Sequence, residues 1–133
     1  MDVLPKNPEA RRPSADTNEA LALQLGSVLA EHKGGNVAVL DLRSLAMWTD
    51  FFIIATVTSG AHRAGLKRRT KDFARDHQLD ILNSRRKGAR DDAWDLIDLG
   101  NIVIHLMTEP ARDFYELERL WSDGKMIRIG NGV

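Results

Sequence analysis

The chain has 133 residues, of which 43% are hydrophobic and 29% are charged, and these values suit one globular domain. Lys plus Arg and Asp plus Glu number 19 each, so the chain lacks the basic excess of a general nucleic-acid or membrane-surface binder. The absence of cysteine excludes disulfides, thiolate catalysis and cysteine-ligated zinc.

The first 15 residues differ in composition from the rest of the chain. Three of the four prolines lie there, at Pro5, Pro8 and Pro13, without apolar periodicity. We predict a disordered tail over 1–15 and a folded domain over 16–133. The opening residues lack the apolar core of a signal peptide and no run of 18 apolar residues follows, so we expect a cytoplasmic protein without a membrane span.

A helix is predicted at the start of the domain. Asp16 fits a helix cap with Glu19 three residues later, the pattern of a capping box. The apolar residues that follow have helical spacing: Leu21, Leu25, Val28 and Leu29. Gly34 and Gly35 predict the end of this helix.

Two apolar runs predict strands. The first run covers 37–42, and a polar break at Arg43 and Ser44 separates it from the second, which covers 51–57. Because the second run is apolar on both sides of its alternation, we expect a central strand that is covered on both faces.

A second helix follows, and Ser59 predicts its N-cap. The helix would run to about His77, with an inner face of Leu66, Thr70, Phe73 and Ala74. Its outer face would carry basic residues: Arg63, Lys67, Arg68, Lys71 and Arg75. We expect a weak edge strand over 79–82, and then a polar loop over 83–92 that holds Arg85, Arg86, Lys87 and Arg90.

The next unit reads as a β-hairpin, with strands over 93–98 and 101–107 joined by Leu99 and Gly100. A two-residue loop there predicts three cross-strand pairs: Asp98 with Asn101, Leu96 with Val103, and Trp94 with His105. One face is mainly aliphatic and is our choice for the main core: Ala93, Asp95, Ile97, Ile102, Ile104 and Leu106. The opposite face, here called the mixed face, holds Trp94, Leu96, Val103, His105 and Met107.

A third helix is predicted from Thr108, Glu109 and Pro110, because proline favours the first helical turn. Its inner stripe would be Ala111, Phe114, Leu117 and Trp121, with Tyr115, Glu116, Glu118 and Arg119 off that stripe. Residues 126–129 add a last short strand. The order α-β-β-α-β-β-β-α, followed by this strand, predicts a single-domain α/β fold with a mixed sheet.

Hydroxyl and imidazole side chains do not form a pattern that predicts catalysis. Ser59 and His62 lie three residues apart, but capping accounts for Ser59, so we favour a cap beside a surface histidine. The histidines share no metal-ligand spacing: His32, His62, His77 and His105. We therefore expect no catalytic residue, no metal and no cofactor.

The positions of carboxylates and cations help to decide between a nucleotidyltransferase, an RNA-binding protein and a binding module without catalysis. Two-metal nucleotidyl transfer needs carboxylates at positions i and i+2 of a strand, and neither Asp41 nor Asp50 has such a partner. The basic runs 67–71 and 85–87 keep RNA contact open, although a charged helix face is usually only solvated. The chain reads as a binding module and not as an enzyme.

Three segments resemble the ribosomal silencing factor family, also called Iojap-like proteins, and together they cover about Ala20 to Met126. They are Asp41-Leu42-Arg43 leading to Thr49-Asp50-Phe51-Phe52-Ile53-Ile54 and Thr58-Ser59; Trp94-x-Leu96-Ile97-Asp98-x-Gly100-Asn101-Ile102-Val103-Ile104-His105; and Arg112-x-Phe114-Tyr115-x-Leu117-Glu118-x-Leu120-Trp121. The chain departs from the family in the reversed pair His62-Arg63, in the basic loop over 83–92 and in Trp48, where small residues are common.

The resemblance implies a mixed sheet of about five strands with helices, related in topology to nucleotidyltransferases. It also implies a translational repressor that binds the large ribosomal subunit at ribosomal protein number fourteen, so that its bulk blocks the small subunit from joining. An RNA-binding ribosome assembly factor, with RNA contact by the basic loop, and a nucleotidyltransferase-type enzyme are the alternatives. A homodimer away from the ribosome is a further expectation.

The partner surface is expected on the mixed face, because Trp, Tyr, Met and Arg are enriched at the centres of interfaces. We predict that Trp94, His105 and Met107 contact the partner, while Leu96 and Val103 suit a covered core equally well. Residues of the third helix would extend this surface: Tyr115, Glu118 and Arg119.

Overall fold

A computed structural model describes residues 15–45, 47–87, 94–120 and 123–129. These residues form six strands: β1 (Gly35–Asp41), β2 (Phe51–Val57), β3 (Asn83–Lys87), β4 (Trp94–Asp98), β5 (Ile102–Thr108) and β6 (Lys125–Ile129). They also form helices α1 (Ala15–Glu31), α2 (Gly60–Asp76), α3 (Glu109–Tyr115) and α4 (Leu117–Leu120), with a 3-10 turn at Arg43–Leu45. The predicted tail lies outside the described residues, apart from Ala15.

One sheet contains all the described strands, in the order β3-β4-β5-β2-β1-β6. Strands β2 and β5 are parallel, whereas the other neighbours are antiparallel, so the sheet is mixed as predicted. All seven residues of β2 are buried, which confirms the central strand. The described sheet has six strands where about five were expected, because both β3 and β6 join its edges.

Helices cover the two faces of the sheet unequally. The long helices α1 and α2 pack on one face, around Leu25, Leu66 and the strand residues Phe51 and Ile53. Four residues of the aliphatic face of the hairpin belong to this main core, as predicted: Ile97, Ile102, Ile104 and Leu106. Ala93 lies outside the described residues. On the other face a second apolar cluster packs under α3 and Leu117.

The ends of α1 differ in detail from the sequence prediction. The helix begins at Ala15, so Asp16 lies in its first turn and is not the cap. At the other end Lys33 takes the left-handed conformation, with φ of 71°. The Gly34 N–H then donates to the Leu29 carbonyl at 2.7 Å, which closes a Schellman motif. A Cβ on Gly34 would lie 2.7 Å from that carbonyl oxygen, so this position needs glycine.

The hairpin has a two-residue loop, but the loop is Gly100-Asn101 and not Leu99-Gly100. Leu99 N–H donates to the Ile102 carbonyl at 2.9 Å, and Gly100 takes φ of +91°, which suits glycine in such turns. The Asp98 carboxylate fixes the turn because it accepts from the Gly100 N–H at 2.7 Å.

The predicted pairs across the hairpin are therefore wrong by two residues: Asp98 pairs with Val103, Leu96 with His105, and Trp94 with Met107. A shift of two residues leaves every side chain on its predicted face, because side chains alternate with a period of two. Both faces of the hairpin were accordingly assigned correctly from the sequence.

The predicted strand at 79–82 is wrong, and so is the predicted loop at 83–87. Strand β3 occupies Asn83–Lys87 and pairs with β4 at the edge of the sheet. An edge strand tolerates charged side chains, because its backbone pairing does not require an apolar face. The rest of the predicted loop, including Arg90, lies outside the described residues.

Candidate partner-binding surface

The structure buries the five residues of the mixed face, none of which is more than 7% exposed: Trp94, Leu96, Val103, His105 and Met107. Ala111 of α3 and Leu117 belong to the same cluster, and Met47 packs against it. Direct contact with a partner would require this cover to move, so a role of these five side chains in partner binding stays a prediction.

Trp94 and His105 form a buried polar pair within this cluster. The indole Nε1–H of Trp94 donates to Nδ1 of His105 at 3.0 Å. The ring of Phe52 meets His105 edge-on, with centroids 4.5 Å apart. The pair satisfies the indole N–H in the interior, and its geometry is that of a packed core.

Aromatic side chains continue from this pair to the surface. The half-buried ring of Tyr115 lies 4.7 Å from that of Trp94, and Phe114 lies 5.0 Å from Tyr115 in an edge-to-face contact. Phe114 is 79% exposed. At the other end of the mixed face, Trp48 is 62% exposed and packs on Phe52. Exposed aromatic side chains of this size are typical anchors of protein interfaces.

The exposure of Phe114 contradicts its predicted place in the core. Helix α3 begins at Glu109 with Pro110 in its first turn, as predicted, and Thr108 caps it by accepting a bond from the Ala111 N–H. The helix then breaks at Glu116, which takes the left-handed conformation with φ of 47°. Within α3 the inner side is formed by Ala111, Arg112 and the half-buried Tyr115, so Phe114 lies on the outer side, while Leu117, which follows the break, is buried. Trp121 lies outside the described residues.

Arg112 joins three parts of the chain beneath this surface, and the sequence analysis missed it. Its Nη1 donates to the Gly35 carbonyl at 3.1 Å and to Thr56 Oγ1 at 3.0 Å, and its Nε donates to Glu118 Oε1 at 2.8 Å. The residue is only 8% exposed. Nothing in the local pattern signals this role, because the three partners lie far apart in sequence.

Glu118 is held between two cations. Arg128 of β6 lies 3.1 Å from Oε2, opposite the bond from Arg112. Burial alone would raise the pKa of Glu118, but the hydrogen bond and charge of Arg112, together with Arg128, outweigh burial and lower it. Of the predicted site residues, Glu118 is therefore half-buried and ion-paired, whereas Arg119 is exposed and pairs with Glu116 at 3.3 Å.

A cleft of about 620 Å³ opens beside α3 and next to Arg112. Four carboxylates and three guanidinium groups line it: Glu109, Asp113, Glu116, Glu118, Arg112, Arg119 and Arg128. The lining is polar and slightly acidic, and with Phe114 it gives this end of the molecule both an apolar anchor and negative charge.

Ser59 and His62 do not form a catalytic pair. Ser59 Oγ accepts from the backbone N–H of His62 at 3.0 Å, which confirms the predicted cap. The His62 ring turns away, because Nδ1 accepts from the Thr58 N–H at 3.1 Å and Nε2 lies 3.2 Å from the His32 carbonyl. The histidine therefore links α1 to the start of α2.

The sequence analysis placed Arg63 on the outer face of α2, but the structure buries it in the interior. Its Nε is 2.9 Å from Oδ2 of Asp95, which is only 1% exposed. Asp95 lies on the core side of β4, and a buried carboxylate requires a counter-charge. Lys67 approaches the same carboxylate at 4.0 Å.

Two features are absent from residues 15–45, 47–87, 94–120 and 123–129, which the structure describes. No group of three or more His, Asp or Glu side chains in these ranges is placed to hold a metal ion. Within the same ranges, no helix has both the length and the apolar character needed to span a membrane.

Comparison with known proteins identifies relatives over nearly the whole chain. The family model described as "Ribosomal silencing factor during starvation" matches residues 15–132. A chloroplastic Iojap protein of Arabidopsis thaliana is 30% identical over 132 residues, and a ribosomal silencing factor of Treponema pallidum is 32% identical over 107 residues. These alignments cover 96% and 80% of this chain. They span 54% of the Arabidopsis relative, about half of its length, and 95% of the Treponema relative.

Solved structures share the fold. A crystal structure of a protein from Chromobacterium violaceum has a TM-score of 0.68 and 27% identity, covering 89% of this chain and 95% of that one. A crystal structure from Bacillus halodurans has a TM-score of 0.63 and 27% identity, covering 80% and 96%. These likenesses confirm the predicted α/β class, while the topological relation to nucleotidyltransferases stays a prediction.

Proposed function

Because the chain belongs to the ribosomal silencing factor family, we propose that it binds the large ribosomal subunit at ribosomal protein number fourteen and blocks joining of the small subunit. Family membership by itself makes the chain a ribosome-associated silencing factor and a regulator of translation. The single observation that carries the proposal is the match of the family model over 15–132.

We place the contact with the ribosome on a docking surface made of Phe114, Tyr115, Glu118 and Arg119. Three of these residues were predicted from the sequence, and Phe114 is added because its side chain is the most exposed large apolar group among the described residues. Trp94 and His105 then support this surface from the interior, since the ring of Tyr115 packs on Trp94. The carboxylates of the neighbouring cleft suit a basic ribosomal protein.

The proposed mechanism is a steric block and requires no catalysis. A domain of this length is roughly 30 Å across. A body of that thickness on the joining face of one subunit keeps the other subunit from reaching it. The protein would act wherever its ribosomes are, and we propose the cytoplasm, since the ribosomal silencing factor relatives include bacterial ones.

We expect Phe114→Ser to weaken binding to purified large subunits by about 30-fold, the loss of a typical hot-spot anchor. Co-sedimentation with separate subunits and with intact ribosomes measures the affinity, and the yield of joined ribosomes measures the block. Leu82→Ser is the matched control, because Leu82 is 65% exposed but lies beside the hairpin turn, at the opposite end of β5 from α3. Binding of wild type to neither subunit would sink the proposed function, whereas equal losses in both variants would move the docking surface elsewhere.

We also propose that two copies associate through the docking surface when no ribosome is present, because an exposed aromatic anchor favours self-association. Sedimentation velocity of the wild type should then show a dimer that grows with concentration, and Phe114→Ser should shift the chain to the monomer. A wild type that stays monomeric throughout the accessible concentration range would contradict this dimer.

A further inference from the structure

The two basic runs of the sequence, which the docking surface does not use, are neighbours in the fold. Arg63 and Lys67 of α2 both approach Asp95 of β4. The backbone register pairs Arg86 of β3 with the same Asp95, so the basic edge strand runs beside the place where α2 crosses the sheet. Adjacent strands are about 4.8 Å apart.

The outer face of α2 carries cations whose charge is not cancelled nearby. Arg68, Arg69 and Lys71 are exposed, and no acidic residue occurs between Gly60 and Lys71. Among the described residues none of the three has an ion-pair partner. Arg75, at the end of the same helix, differs because Asp72 and Asp76 lie 3.4 and 3.6 Å from its guanidinium group.

Arg85 of β3 is also exposed, but it pairs with Leu96 of the second apolar cluster, so it lies on the opposite face of the sheet from α2. The charge of the whole chain is balanced, so the concentration of cations on α2 is matched by an acidic excess elsewhere, as in the cleft beside α3. The two faces of one small domain, which α2 and α3 cover, thus favour partners of opposite charge.

We propose that the outer face of α2 binds the phosphate backbone of ribosomal RNA, with Arg68, Arg69 and Lys71 as the contacts. Regularly spaced phosphates complement a row of unpaired cations, and such contacts need no base sequence. The identity of the RNA, that of the large subunit, rests on the proposed function. The face itself is distinct from the docking surface, so the two predict separate contacts with the same particle.

The test compares the wild type with the triple variant Arg68→Gln, Arg69→Gln and Lys71→Gln, and with the control Arg75→Gln. Glutamine keeps the helix propensity at exposed positions, and circular dichroism checks the fold. Each protein is titrated with a 16-base-pair RNA duplex and, separately, with purified large subunits, between 50 and 200 mM salt. Three phosphate contacts account for about a 20- to 40-fold fall in affinity over that range.

We expect the triple variant to lose this part of the salt dependence with both probes, and Arg75→Gln to behave as the wild type does. An unchanged salt dependence in the triple variant, or an equal loss in Arg75→Gln, would overturn the proposal. Polyglutamate that competes as well as the RNA duplex would also overturn it, since the partner would then be an acidic protein. If the wild type binds the duplex through these residues but ignores the subunits, the RNA face stands and the proposed function fails.

Discussion

Trp94→Ala should cost about 3–5 kcal/mol of the free energy of unfolding, a large part of the total stability of a domain of this size. The substitution removes the largest side chain of the second apolar cluster. It also takes away the N–H that donates to His105 Nδ1 and the surface on which Tyr115 rests. Urea denaturation followed by circular dichroism measures the loss.

Trp94→Phe separates the two parts of this effect. The phenyl ring keeps most of the packing but not the donor, so the expected loss is about 1–3 kcal/mol, the cost of an unsatisfied buried acceptor. Phe114→Ser, on the exposed neighbour, should change stability by less than about 0.5 kcal/mol. A loss of less than about 1 kcal/mol in Trp94→Ala would show that the cover over the mixed face is loose, and would bring direct partner contact by these residues back into consideration.

Arg112→Met should destabilise the domain by about 2–4 kcal/mol. The substitution leaves the partly buried carboxylate of Glu118 with a single cation, and two oxygen acceptors in the sheet lose their hydrogen bonds. The bonds lost are those to Gly35, Thr56 and Glu118. Arg119→Met is the control, since the pair of Arg119 with Glu116 is exposed and such pairs contribute little. Urea denaturation of both variants beside the wild type gives the comparison.

The acid dependence tests the same assignment. The pKa of Glu118 lies below its ordinary value of 4.5, so its ion pairs stabilise the fold above about pH 4.5, and this contribution is lost as the pH falls through the folded-state pKa. The difference between wild type and Arg112→Met should therefore shrink in acid. A difference that stays constant from neutral pH to pH 3 would mean that Arg112 acts only through Gly35 and Thr56.

Most of the fold could be predicted from patterns that one segment carries by itself. The stripe of α1, the cap at Ser59 and the two faces of the hairpin were predicted because hydrophobic periodicity and capping are local. The strand Asn83–Lys87 could not be, because its polar residues show no strand pattern and only pairing with β4 makes it extended. A similar limit applied to Arg63, whose burial depends on the charge of Asp95.

The candidate site was harder to predict than the fold. The spacing of Ala111, Phe114 and Leu117 fits one continuous helix, but the chain turns at Glu116, a residue with no marked preference for positive φ. The turn separates Leu117 from α3, and α3 packs through Ala111 and Arg112, which leaves Phe114 on the surface. The residues of the mixed face were correctly grouped from the sequence. Whether a helix covers that face depends on how α3 packs against it, and the sequence of the hairpin carries no information about this packing.

The last strand pairs with the first, and this pairing affects how the protein is made. Strand β6 lies against β1, and the parallel neighbours β2 and β5 also come from distant parts of the chain. Such a topology has a high contact order and folds slowly, because long loops must close before the contacts form. A chain still being synthesised cannot complete its sheet until the segment carrying β6 is free. A newly made copy is therefore structurally incomplete until the residues up to Ile129 have left the ribosome.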